Sequence, residues 1–145
     1  DMVLDQSQMT LKDIAGALPY LDYLVPSYHE ASYFTGKDTP EEIAAEFHRL
    51  GVKTVVLKLG ADGVFASSAG KTYRVGTIAE KVVDTLGGGD NFVAGFITGI
   101  ADGLGVEKAL YFGSAAAAIA ISQYGASGAV KSKQQVQDYL DAHLK

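Results

Sequence analysis

The sequence has no cysteine among its 145 residues. That removes disulfides, thiolate metal sites and a thiol nucleophile from consideration. Long apolar runs are missing too, and none could span a bilayer. No signal-peptide pattern is present, so cytoplasmic is the expected location. Positive charge is in deficit: 12 lysines and arginines stand against 17 aspartates and glutamates, a formal net charge of −5. This argues against binding nucleic acid through phosphate neutralisation. It does not exclude a nucleotide, whose phosphates can be met by backbone amides and Mg2+. No repeat, low-complexity tract or internal linker interrupts the chain.

What the chain has is glycine, 17 residues, several of them clustered at one turn. Hydrophobic content of 48% with 20% charged residues is ordinary for a soluble globular protein. The length predicts one domain, residues 1–145, with a real core. The chain opens Asp1-Met2. Aspartate cannot start translation, and Met2-Val3-Leu4-Asp5 reads as the end of a strand, so a removed upstream stretch is expected.

Local signals divide the chain into alternating elements. Thr10 reads as an N-cap before Leu11, Ile14, Ala15 and Leu18, and Pro19 ends that helix. Tyr23-Leu24-Val25 reads as a short strand running into Pro26-Ser27-Tyr28-His29-Glu30. Open α/β sheets place ligands after such strands. A short helix over Glu30–Phe34 stops at Gly36. Thr39, Pro40 and Glu42 form a helix start with a capping box, Ile43, Phe47 and Leu50 its buried stripe, and Gly51 its end. Residues 54–59 read as a buried strand, and 64–66 with 71–75 as a hairpin. Glu107 to about Tyr124 is a long alanine-rich helix. Ser132 caps a last helix carrying Val136, Tyr139, Leu140 and Leu144.

The centre of this pattern is Asp84-Thr85-Leu86-Gly87-Gly88-Gly89-Asp90-Asn91. It follows an expected strand, Lys81-Val82-Val83, and precedes an apolar helix from Asn91 to about Ala101. Three glycines allow tight turning and close backbone approach to a ligand. Their N–H groups, with those of the first helical turn, can converge on an anion. Asp90 at the mouth of that site is suited to take a proton from an attacking hydroxyl. The plainer reading is a tight strand–helix connection with Asp90 as an N-cap. That reading needs one glycine and leaves two unexplained.

Other motifs weaken on inspection. Ala69-Gly70-Lys71-Thr72 suggests a P-loop end, but Phe65 stands where the first glycine should be, and strand follows. His29-Glu30 lacks the second histidine of a zincin helix, since position 33 is Tyr33. His48 and His143 lie on amphipathic helices with no evident partner and read as surface residues. Gly95 and Gly99 indicate close helix packing.

Asp84 to Asp90 with Phe92, Ala94 and Gly95 resembles the C-terminal signature of the ribokinase-like (PfkB) carbohydrate kinases, with Gly88 in place of the usual alanine. Pro26–Glu30 is similar to that family's Pro-Asn-x-x-Glu segment, with Ser27 where asparagine is usual. Lys58–Gly63 resembles its nucleotide-side turn, and Ser114-Ala115-Ala116 with Gly125-Ala126 its adenine-side helix and loop. The resemblance implies a three-layer α-β-α, Rossmann-like α/β fold with a mainly parallel sheet and helices on both faces. It further implies that the N-terminal half, with the lid and most of the sugar pocket, is missing.

The implied activity is ATP-dependent phosphorylation of a sugar or sugar-like hydroxyl by in-line transfer, with Asp90 as base. The amides of Gly87, Gly88, Gly89 and Asp90 would form the anion hole. Lys58, Gly60, Gly63, Ser114 and Gly125 would line ATP. Glu30 would organise Mg2+ through water, and Asp84 with Leu86 would hold a monovalent cation such as K+. The implied partners are a small-molecule sugar and either a second copy or the missing half, with no nucleic acid and no membrane. The alternatives are a nucleotide-binding fragment without catalysis and a nucleoside kinase of the same family. This stretch alone is expected to be inactive.

Overall fold

The computed structural model describes residues 9–126 and 128–144. The chain divides into two compact units, residues 1–74 and 75–145.

In the first unit the starts expected at Thr10 and Thr39 form, the first helix ends short of Leu18, and Ser27 adds a cap the sequence reading did not mark. Helix α1 spans Leu11–Ile14 behind Thr10, and a 3-10 turn covers Leu18–Tyr20 with Pro19 inside it. Strand β1 is Tyr23–Leu24. Ser27 caps α2, Tyr28–Thr35, which Gly36 closes at φ 65°. Thr39 caps α3, Pro40–Arg49, by accepting the Glu42 N–H at 3.3 Å. The Glu42 carboxylate takes the Thr39 hydroxyl at 2.8 Å. Strands β2, Thr54–Lys58, β3, Val64–Ser68, and β4, Lys71–Val75, follow. The tight β3–β4 connection has Ala69 and Gly70 at positive φ, as a two-residue hairpin turn requires. The Lys71-Thr72 pair therefore lies on a strand and not on a P-loop helix.

The sheet order is β1-β2-β3-β4. β1 runs parallel to β2, with Tyr23 opposite Thr54, and β2 runs antiparallel to β3, with Val56 opposite Ala66. These strands thus make a mixed sheet rather than the mainly parallel one expected. The reason is the connections: five residues from β2 to β3 and two from β3 to β4 are too short for the crossover that parallel pairing needs. Val55, Val56 and Leu57 are wholly buried, and Ile43, Phe47, Phe65 and Ala31 complete the core beside them. Burying each of the large side chains stabilises the unit by roughly 1.5–3 kcal/mol.

His48 departs from the surface reading. Nδ1 lies 2.8 Å from the Val52 carbonyl oxygen and Nε2 2.8 Å from Ser67 Oγ. A carbonyl only accepts, so Nδ1 carries the proton and Nε2 accepts from the serine. The ring ties α3 to β3, a contact 19 residues away that helical periodicity cannot show.

The second unit, among the described residues, is helical. Helix α4 is Gly88–Ala101, α5 Gly105–Ile121 and α6 Lys133–His143. α4 and α5 touch backbone to side chain. A β-carbon on Gly95 would lie 2.8 Å from Ala116 Cβ and 2.9 Å from the Phe112 carbonyl oxygen. Phe112, Ala116, Ile119, Val136 and Leu140 form the core under α6. Tyr139 donates to the Ile78 carbonyl at 2.9 Å, and His143 meets Glu80 at 3.0 Å while stacking on Tyr139, so His143 also has partners. An ion pair joins Lys133 to Asp102.

No strand forms at residues 81–83. The N–H groups of Val83 and Asp84 both turn to the Ile121 carbonyl, at 2.8 and 3.3 Å, which takes them out of any ladder. No helix of the described residues is long and apolar enough to cross a membrane.

Candidate active site

The glycine turn is not one uniform loop. Helix α4 begins at Gly88, three residues earlier than expected, so Gly87 alone is the turn glycine. It is the N-cap, at φ 75° and ψ 0°. The left-handed conformation favours glycine, and so does the space: a β-carbon there would sit 2.4 Å from the Ala126 carbonyl oxygen. Gly88 is needed for a different reason, since its β-carbon would meet Ile121 Cγ2 at 2.9 Å. Gly89 and Asp90 are exposed in the first helical turn.

By position, the N–H groups of Gly87, Gly88, Gly89 and Asp90 are the four that lack an intrahelical acceptor. They coincide with the expected anion hole. One is partly engaged: Gly88 donates to the Thr85 carbonyl at 3.2 Å. The Asp90 carboxylate sits where the helix dipole favours negative charge. That is also the local role Asp90 would have with no ligand.

Asp84 organises the approach to this turn. One carboxylate oxygen accepts the Leu86 N–H at 3.0 Å, the other the Gly125 N–H at 3.1 Å. These two amides, Leu86's first, hold the carboxyl below its ordinary range. Each Asp84 oxygen accepts one amide hydrogen, and the Leu86 side chain is exposed. Gly125, expected on the nucleotide side, is thereby tied to the glycine turn. Ser114 lies half-buried on α5.

One contact of this site escapes the sequence pattern, that between Asn91 and Ala126. Asn91 donates from its carboxamide nitrogen to the Gly87 carbonyl at 2.8 Å and to the Ala126 carbonyl at 3.0 Å. The only local signal is a side-chain amide one turn after the N-cap. Nothing in the sequence marks Ala126 as its second acceptor.

The remaining expected residues cluster in the first unit, at the C-terminal ends of β1 and β2. Lys58 donates its N–H to the Pro26 carbonyl at 3.0 Å, and Ser27 bridges in parallel to Lys58. The two loops therefore start side by side, the arrangement that open α/β sheets use for ligands. Gly60 and Gly63 both have positive φ, 63° and 87°, and the loop closes through Leu59 N–H to the Gly63 carbonyl at 2.8 Å. Ser27 and Glu30 form a capping box. Glu30 Oε2 accepts the Ser27 N–H at 2.7 Å and the Ser27 hydroxyl at 2.8 Å. The serine at this position is spent on the cap. Glu30 is half-buried with its second oxygen, Oε1, outside the cap.

The structure thus has a left-handed glycine at the head of an apolar helix, with an acid three residues on. A family model for the pfkB family carbohydrate kinases matches residues 1–133. The chain belongs to the pfkB family of carbohydrate kinases. A ribokinase of Haemophilus influenzae is 33% identical over 129 residues, 86% of this chain and 42% of that protein. The structure of Arabidopsis thaliana ribokinase complexed with ribose and ATP matches at a TM-score of 0.80 and 35% identity, over 87% of this chain and 43% of that one. A ribokinase II candidate from E. coli, in complex with ATP and Mg2+, matches at 0.82 and 26%, over 91% and 43%. The ribokinase-like α/β fold is thus this chain's fold. The pfkB chain spans 42–43% of the length of these relatives.

Proposed function

We propose that this chain carries the nucleotide side of a site that transfers the γ-phosphoryl group of ATP to a hydroxyl of a sugar or sugar-like molecule. The observation that supports it most is the start of α4, where four helix-start amides and the Asp90 carboxylate share one turn, with Gly89 and Asp90 exposed. Phosphoryl transfer needs donors for the equatorial oxygens and a base for the acceptor, and little else from the protein.

In this reading the acceptor hydroxyl gives its proton to Asp90 as its oxygen bonds to the γ-phosphorus. The bond from that phosphorus to the ADP oxygen breaks in line. The amides of Gly87, Gly88, Gly89 and Asp90 stabilise the charge that builds on the transferring group. Within the second unit, Ser114 and Gly125 are the residues proposed to line the nucleotide.

Mg2+ keeps several waters and takes few protein oxygens. Among the described residues no group of three or more His, Asp or Glu could enclose a metal ion. Glu30, with Oε1 outside the cap, fits contact through water. When bound, the ion would neutralise phosphate charge. A monovalent cation beside Asp84 and Leu86 would stiffen the entry to the glycine turn.

Calorimetry with ATP, together with a coupled assay for ADP release over a panel of sugars and nucleosides, tests the reading. ATP binding with sugar-dependent ADP release is expected from the complete enzyme. Binding without any acceptor-dependent release would favour a nucleotide-binding module, and absence of binding would sink both readings.

A further inference from the structure

We propose that Asn91 is a positioning residue of the anion site, acting through the carbonyl groups of Gly87 and Ala126. The proposal rests on the reading of the glycine turn as a phosphate site. Asn91 Nδ2 reaches the Gly87 oxygen at 2.8 Å and the Ala126 oxygen at 3.0 Å. Its backbone N–H reaches the Gly87 oxygen as well, at 2.9 Å. A carboxamide nitrogen has two hydrogens, and both are committed.

The placement matters for charge. Gly87 and Ala126 are packed so closely that their carbonyl oxygens meet at one nitrogen. The Gly87 oxygen keeps the Asn91 backbone N–H in any case, but an Ala126 carbonyl released by the side chain beside the start of α4 would repel an incoming phosphate. Asn91 holds both oxygens on the helix side, which leaves N–H groups as the polar face of the turn. It also pins the loop after α5 to that turn, beside the tie that Asp84 makes to Gly125. Asn91 itself need not touch the ligand.

Two substitutions separate hydrogen bonding from packing. Asn91→Asp keeps the shape but points an acceptor at two carbonyls. Asn91→Leu keeps the volume with no donor. ATP and inorganic tripolyphosphate are titrated by calorimetry into the full chain and both variants, from about pH 8 to about pH 4, where an aspartate of ordinary pKa is about half protonated, with thermal melts alongside. Asn91→Asp is expected to weaken both ligands by roughly tenfold at the upper pH, the worth of about one hydrogen bond. Its deficit against the unsubstituted chain should shrink as pH falls, because a protonated carboxyl regains one donor. Asn91→Leu should show a deficit of similar size with no such recovery. Affinities within twofold of the unsubstituted chain overturn the proposal, and so does an equal loss in both variants with no pH recovery in the aspartate. If the unsubstituted chain binds neither ATP nor tripolyphosphate, the phosphate reading itself falls and takes the proposal with it.

Discussion

Gly87 lies so close to Ala126 that a β-carbon on it would come within 2.4 Å of the Ala126 carbonyl oxygen and 2.7 Å of its Cα. The head of α4 and the loop after α5 are in backbone contact there. Nothing larger than hydrogen fits between them.

Gly87→Ala therefore meets two penalties, a left-handed φ of 75° and a backbone collision. Gly103 supplies the control, with φ 77° and nothing within 4 Å of an added β-carbon. Gly103→Ala should cost only the conformational term, about 1–2 kcal/mol. Gly87→Ala should cost clearly more in a denaturant melt. Equal losses would mean that the close approach has no energetic weight.

Asp90→Asn in the catalytically complete enzyme should lower turnover by roughly 10²–10⁴-fold, the usual worth of a positioned base. ATP affinity should hardly change, since the helix-start amides remain. Steady-state kinetics with the preferred acceptor decides it. Near-full turnover would reduce Asp90 to an acid that favours the helix dipole.

Acid should loosen the Asp84 tie. Its folded-state pKa is below the ordinary 3.8, lowered by the Leu86 and Gly125 amides. The contribution to stability is then complete above pH 3.8 and disappears as pH falls through the lower folded value. Amide protection factors at Leu86 and Gly125, taken against the intrinsic exchange rate at each pH, should hold from neutral pH to about 4 and fall below it. Asp84→Asn, which leaves one of the two amides without its acceptor, should show fast exchange at neutral pH.

Gly95→Ala sets two effects of opposite sign against each other. Alanine gains about 1 kcal/mol of helix propensity over glycine. Overpacking against Ala116 and the Phe112 carbonyl costs about 1–3 kcal/mol. Packing should win, with a net lower melting temperature. Gly16, where an added methyl meets nothing within 4 Å, should tolerate alanine far better.

Legibility in this chain follows the range of the interactions. Thr39, Ser132 and Gly36 act within one turn of their own positions, and the helix ends they mark form as the sequence predicts, while Ser27 starts α2 two residues before the expected Glu30. The strand expected over residues 81–83 does not form, because its donors go to the C-terminus of α5. His48 reads as a surface residue until β3 brings Ser67 to it.

By itself, the sequence determined the family and the type of most elements. Those depend on side-chain identity and on contacts a few residues apart. Only the tertiary structure decided what each glycine is for, and that Asn91 and Asp84 bind the turn to a loop 35 and 41 residues away. The physical reason is the packing of α4 on α5. It brings that loop onto the turn, and no local pattern records which backbone groups will then meet.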